Sequence, residues 1–285
     1  PDNFQESPEA AADRTSPTNI GMALAGTLAA ADFGYLSPGR LADRLRRTFE
    51  TLERLERYRG HFYNWYDTRS LKPLHPLYVS TVDSGNLTGM LIVLRAGLAE
   101  CLDAPVLPPA WRDGLADTAD ILREELHAAA RRRSLDPDAI QRALRAVRGW
   151  RDALADAPPG LRDSLRLLDT LAADAASLAD ALAPDPETAF WRDALQAQLD
   201  DLAGELRRFA PWAADDPSAL PEAARRELDT LPPLRALATL HQRRESLLPP
   251  GTPGEDRWAG HFRLAAERAA QGIAALNALR DQCAE

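Results

Sequence analysis

The chain has 285 residues, 43 acidic against 34 basic, with a net charge of −9 and 45% hydrophobic residues. At ~150 residues per domain this is one large domain or two ordinary ones, long enough to bury a sizeable core. The acidic balance argues against a general nucleic-acid binder, nothing approaches the ~20 apolar residues of a membrane span, and two cysteines, Cys101 and Cys283, exclude a disulfide scaffold or a cysteine zinc site and read as free thiols.

Beginning at Pro1 without a charged and then apolar leader, the sequence reads as a piece of a longer chain. A first helix is predicted from Ser16-Pro17 or Thr18 through Ala31. Ser37-Pro38 is an N-cap followed by proline at the first helical position. Behind it Leu41, Leu45, Phe49, Leu52 and Leu55 recur at steps of three and four, one face of a helix running to about Arg57. Arg44, Arg47, Glu50, Arg54 and Glu56 make its solvated face. A third helix follows Asp83 or Ser84 and carries Leu87, Leu91, Leu94 and Leu98.

Residue types shift near position 100. Four of five asparagines and all five tyrosines precede it, whereas the remainder is Ala, Leu, Arg, Asp and Glu broken by prolines. The division drawn is therefore a motif-rich part, 1–100, and a proline-punctuated helical part, 101–285. Helix starts are predicted at Pro108-Pro109, Asp136-Pro137, Pro158-Pro159, Pro184-Asp185-Pro186, Pro217, Pro232-Pro233 and Pro253-Gly254, because proline is tolerated in a first turn and ends the preceding helix. The last helix places Trp258, Phe262, Ala265, Ala269, Ile273 and Leu276 on one face. Period-two alternation is confined to 58–82. The expectation is an all-α fold of antiparallel helical hairpins.

The chemically unusual segment is Tyr58 to Asn86, rich in aromatics, Asp, Asn, Arg and His. That composition suits a sugar pocket: pyranose C–H faces settle on aromatic rings, and hydroxyls need planar donors and acceptors. Asp67 and Asp83 can accept in pairs, Asn64 and Asn86 can donate and accept, and Arg69 can donate. Blander readings stand beside each. Phe62 and Trp65 read more readily as core aromatics than as stacking platforms, Asp83-Ser84 reads also as a helix N-cap, and Asp67-Thr68 as a turn. His61 and His75 have two carboxylates for company, but no HExxH or His-x-His spacing, so no metal is expected. His127, His241 and His261 read as structural residues. No GxSxG, P-loop or GxGxxG motif appears. Glu124-Glu125, Asp200-Asp201 and Asp215-Asp216 are poor acid/base pairs, because adjacent helix positions point apart.

Three runs, Thr15-Ser16-Pro17-Thr18-Asn19-Ile20-Gly21, Gly60-His61-Phe62-Tyr63-Asn64-Trp65-Tyr66-Asp67-Thr68 and Tyr78-Val79-Ser80-Thr81-Val82-Asp83-Ser84-Gly85-Asn86-Leu87, resemble the cyclic β-1,2-glucan synthases. The opening Pro1-Asp2-Asn3-Phe4-Gln5-Glu6 fits as well. The resemblance implies large bacterial inner-membrane proteins that elongate β-1,2-glucan from UDP-glucose and close it by transglycosylation in a central glucoamylase-like part, whose start this chain resembles. It implies part of an (α/α)6-type barrel with an extended helical segment, placed on the cytoplasmic side of the membrane. No cofactor is implied for this segment, UDP-glucose being used elsewhere. The implied partners are a β-1,2-glucan chain and the other domains, with no nucleic acid and no membrane span here. A retaining mechanism needs two carboxyls ~5–5.5 Å apart, and the resemblance puts both beyond Glu285. On it, Asp67 and Asp83 accept from glucose hydroxyls, Asn19, Asn64 and Asn86 add contacts, and Tyr63, Trp65 and Tyr66 stack. Two alternatives stand: a non-catalytic glucan-binding or scaffolding segment between the glycosyltransferase and phosphorylase-like parts, and an endo-β-1,2-glucanase-like hydrolase.

Overall fold

A computed structural model describes residues 12–157 and 160–284. The opening hexapeptide and the Pro158-Pro159 helix start lie outside the described residues. Helix makes up 71% of the described residues and strand 4%, so the fold is all-α. The chain forms two compact units: 1–30, 40–102 and 274–285 make the first, and 31–39 with 103–273 the second. This grouping does not follow a single cut at residue 100: 31–39 lie with the second unit and 274–285 with the first.

The first unit is built from α1 (Pro17–Asp32), α2 (Pro38–Glu53) and α3 (Thr81–Glu100), with two small antiparallel sheets. Leu41, Leu45, Phe49 and Leu52 are buried on α2 as their spacing requires. The helix stops at Glu53 rather than Arg57, its last turn closing with bonds from Arg54 and Leu55 to the carbonyls three residues back. A hairpin comes next: β2 (Arg57–Tyr58) pairs with β3 (His61–Phe62) across the two-residue turn Arg59-Gly60. Both turn residues have positive φ, 51° and 87°, the combination that matches strand twist and that glycine supplies at least cost. β1 (Arg14–Thr15) pairs with β4 (Tyr66–Asp67). α1 and α3 lie close, since a Cβ on Gly97 would meet Leu28 Cδ2 at 2.5 Å. These two helices are apolar nearly all round, and Met22, Ile92 and Val93 stay exposed. Neither Cys101 nor Cys283 is in a disulfide.

The second unit holds α4 (Trp111–Arg132), α5 (Pro137–Ala155), α6 (Leu161–Ser177), the single turn α7 (Ala179–Leu182), α8 (Pro186–Phe209), the short helices α9 (Glu222–Leu228), α10 (Leu234–Ala238) and α11 (Arg244–Leu247), and most of α12 (Glu255–Gln282). α4 packs on α5 and α8, and α8 on α6. The aspartate–proline starts behave as read. Asp136 accepts from the Ala139 N–H at 3.0 Å and Asp185 from the Thr188 N–H at 3.1 Å, each with proline at the first helical position. Pro217 opens only a 3-10 turn. Asp185 is 2% exposed; both its oxygens accept from Arg132, at 3.0 and 2.9 Å, and one also accepts from the Ser134 hydroxyl. Burial alone would raise its pKa, but these bonds hold it at about 2.

The turn 31–39 is fastened to α8 by carboxylates. Asp201 accepts from the Ser37 N–H and hydroxyl, each at 3.0 Å, and Glu205 accepts from the Gly39 N–H at 2.8 Å. Glu205 is 6% exposed, and burial pushes its pKa up to about 7. Asp200 instead accepts from Gln196, so the two carboxylates of the Asp200-Asp201 pair do point apart.

Candidate functional site

The motif residues converge at the start of α3. Ser80 is its N-cap, its hydroxyl accepting from the Asp83 N–H at 3.2 Å, so the helix begins three or four residues earlier than a start after Asp83 or Ser84. Asp83 is not the cap. It sits one turn in and receives the Ser80 hydroxyl at 2.5 Å, so the cap serine both accepts from the Asp83 N–H and donates to its carboxylate. The Thr18 hydroxyl and N–H and the Ser16 hydroxyl, at the start of α1, bond it too. Burial raises the Asp83 pKa, but these hydrogen bonds outweigh it and leave the carboxyl below its usual range.

Asn64 is 5% exposed. Its amide lies so that Nδ2 donates to Asp83 Oδ2 at 2.9 Å, while Oδ1 accepts from the Trp65 indole at 2.7 Å and the Tyr78 hydroxyl at 2.6 Å. The opposite orientation sets oxygen against acceptors and nitrogen against donors. The Asn64 N–H also donates to the Tyr78 carbonyl at 2.9 Å. One buried amide thus links the loop, two aromatic rings and the helix start.

This arrangement changes what the expected sugar ligands can do. A carboxylate has about four acceptor positions, and Asp83 Oδ2 already takes the Ser80 hydroxyl and the Asn64 amide, so this oxygen organises the site. Asn64 is likewise committed. Tyr66 is fully buried, its hydroxyl accepting from the Tyr63 N–H at 2.8 Å and donating to the Glu56 carbonyl at 2.6 Å, and burial raises its pKa. It presents no ring face for stacking. Trp65 is half-buried, with the Arg14 guanidinium 4.8 Å from its ring centroid. Tyr63 is half-buried. Asp67 makes a turn: Oδ1 accepts from the Ser70 N–H at 2.6 Å, the Ser70 hydroxyl at 2.8 Å and the Arg69 N–H at 3.1 Å. The Ser70 bonds hold its pKa below the usual value. Arg69 is exposed and pairs with Asp13 at 2.5 Å. Asn86 is exposed and reaches the Thr18 hydroxyl at 3.0 Å. Asn19, half-buried, keeps its side-chain nitrogen without a hydrogen-bond partner among the described residues.

The structure thus gathers Asn64, Trp65, Asp83 and Asn86 with Ser16, Thr18, Ser80 and Tyr78, while Asp67 and Arg69 serve a neighbouring turn. Sequence reasoning passes over Tyr78 and the serine and threonine donors. The capping-box pattern Ser80-x-x-Asp83 is the available signal for one of them.

A cavity of about 830 Å³ lies elsewhere in the same unit, lined among others by Phe49, Leu52, His61, Phe62, Leu91 and Cys283. Burial pushes the Cys283 thiol up to about 11. At pH 8 only about a thousandth of it is thiolate, so a Cys101→Ser variant should react with a disulfide reagent far more slowly than a free cysteine peptide; equal rates would show that the thiol is not shielded. Among the described residues no three His, Cys, Asp or Glu side chains form a metal-holding group, and no helix is long and apolar enough to cross a membrane.

No protein-family model matches the chain. A comparison with curated proteins finds the cyclic beta-(1,2)-glucan synthase NdvB of Rhizobium meliloti (strain 1021), 41% identical over 157 residues. The match takes in 54% of this chain, a longer stretch than its motif-bearing first 90 residues, and 6% of the length of that protein. Identity at that level over that length supports a relation between this chain and the synthase.

Proposed function

We propose that this chain is a segment of a cyclic β-1,2-glucan synthase, in the central part that binds linear β-1,2-glucan and cyclises it by transglycosylation. The observation that carries the reading is the 41% identity over 157 residues to such a synthase. The cluster at the start of α3 is compatible with it in chemistry: aromatic surface beside a rigid polar network on helix termini suits a flexible glucan.

On this reading the segment supplies a sugar-holding wall of an (α/α)6-type barrel, and the catalytic carboxyl pair belongs to residues outside this chain. Asp83 and Asn64 hold the wall in shape, while Asn86, Tyr63 and the half-buried Trp65 meet the sugar. UDP-glucose is used by another part of the parent protein, a glycosyltransferase of the bacterial inner membrane whose central part faces the cytoplasm. The partners are the glucan and the parent's other domains.

Calorimetric titration of the chain with β-1,2-gluco-oligosaccharides should give saturable binding, with β-1,3-linked isomers much weaker. A folded chain that binds neither would overturn the reading. Incubating a longer polypeptide that contains this chain with linear β-1,2-glucan then separates the rivals. Products one water lighter and lacking reducing ends identify cyclisation. New reducing ends point to a hydrolase, and bound but unchanged glucan to a scaffold.

A further inference from the structure

We propose that Tyr78 is the stacking platform for a glucosyl unit, its ring face held ready by the buried Asn64. This deepens the glucan-binding reading and rests on it. Few aromatic faces in the segment are open. Tyr66 is fully buried. An arginine guanidinium covers each of three others: Arg14 lies 4.8 Å from the Trp65 ring centroid, Arg57 4.5 Å from that of Phe62, and Arg59 5.4 Å from that of Tyr58. Tyr63 is half-buried. Tyr78 is 45% exposed, and among the described residues no ring or cation lies against it.

An exposed tyrosine ordinarily moves among rotamers, and ordering it against a ligand costs binding energy. Tyr78 is held at both ends. Its hydroxyl donates to Asn64 Oδ1 at 2.6 Å and its carbonyl accepts from the Asn64 N–H at 2.9 Å. Asn64 is fixed in turn by Trp65 and Asp83. Leu74 and Leu77, 37% and 43% exposed, extend the apolar surface of the same loop. Such apolar surface kept rigid in water is a feature of binding sites rather than of free loops. The ring presents the flat, electron-rich face that the C–H face of a pyranose favours.

The test uses the whole chain, a β-1,2-linked glucotetraose as probe, and calorimetry together with NMR of isotope-labelled tyrosine rings. Wild type should bind with Tyr78 ring shifts. Tyr78→Ala should raise Kd about tenfold, the scale of one good aromatic contact. Tyr78→Phe keeps the face but loses the tether, and should raise Kd only about threefold. Tyr58→Ala, which removes an exposed but arginine-covered ring, should leave Kd unchanged. Unfolding curves confirm that each variant is folded. Wild-type affinity in a folded Tyr78→Ala chain, or binding without Tyr78 ring shifts, would overturn this inference while leaving the glucan reading intact. A wild-type chain that does not bind the tetraose overturns both and leaves the loop as a surface for protein contact.

Discussion

Replacing Glu205 by Gln is expected to remove most of the loss of stability that the chain suffers between pH 5 and pH 8. In the folded chain this carboxyl is buried against the Gly39 N–H, with Asp201 adding repulsion and Arg208 some attraction, and it holds its proton up to about pH 7. In the unfolded chain it releases the proton near 4.5. The folded state therefore binds the extra proton between these values. Its contribution is fully present below pH 4.5 and is lost as pH rises through 7, an interval worth about 3 kcal/mol. Glu205→Gln keeps an acceptor for Gly39 and has no charge to bury. Its stability relative to wild type should grow by about 2–3 kcal/mol from pH 5 to pH 8, read from denaturant unfolding at each pH. A difference that does not change with pH would show that Glu205 ionises freely.

Asp83 carries the second large effect. Its carboxylate collects the Ser80 and Thr18 hydroxyls, the Thr18 N–H, the Ser16 hydroxyl and the Asn64 amide. Asp83→Ala leaves these donors without their acceptor, a cost of about 3 kcal/mol. Asp83→Asn keeps the shape but turns an amide nitrogen toward donors, at about 1–2 kcal/mol. Both losses should appear in unfolding curves measured without any glucan. An Asp83→Ala chain as stable as wild type would show instead that the carboxylate is available to a ligand, the role its sequence context suggests. Asn64→Ala should resemble Asp83→Ala in affinity for β-1,2-glucan, because the two act through one network.

Some of this is legible residue by residue. Aspartate before proline marks the starts of α5 and α8 because the cap and the first-turn proline are satisfied within four residues. The apolar face of α2 follows from spacing alone. The segment 58–86 stands out by composition, and that is where the polar network lies. The sequence also indicates a kinship with β-1,2-glucan synthases, because its motif runs are long and unusual; the 41% identity over 157 residues supports that relation.

Other features are decided only when distant residues meet. Spacing carries α2 too far because its charged face continues to Glu56, whereas pairing of Arg57–Tyr58 with His61–Phe62 claims the chain first. Asp83 looks like a free ligand in a string of letters; in the fold Asn64, nineteen positions away, and Ser80 both donate to its Oδ2. Tyr66 and Tyr78 are the same side chain in the same segment, yet one is sealed in the core and the other is open with its hydroxyl tied down. Glu205 is an ordinary helical glutamate until burial makes its charge costly. Caps and helix faces are settled by neighbours along the chain, so sequence determines them. Burial, the number of donors around a carboxylate and the exposure of a ring are sums over residues far apart in sequence, and only the tertiary structure fixes those sums.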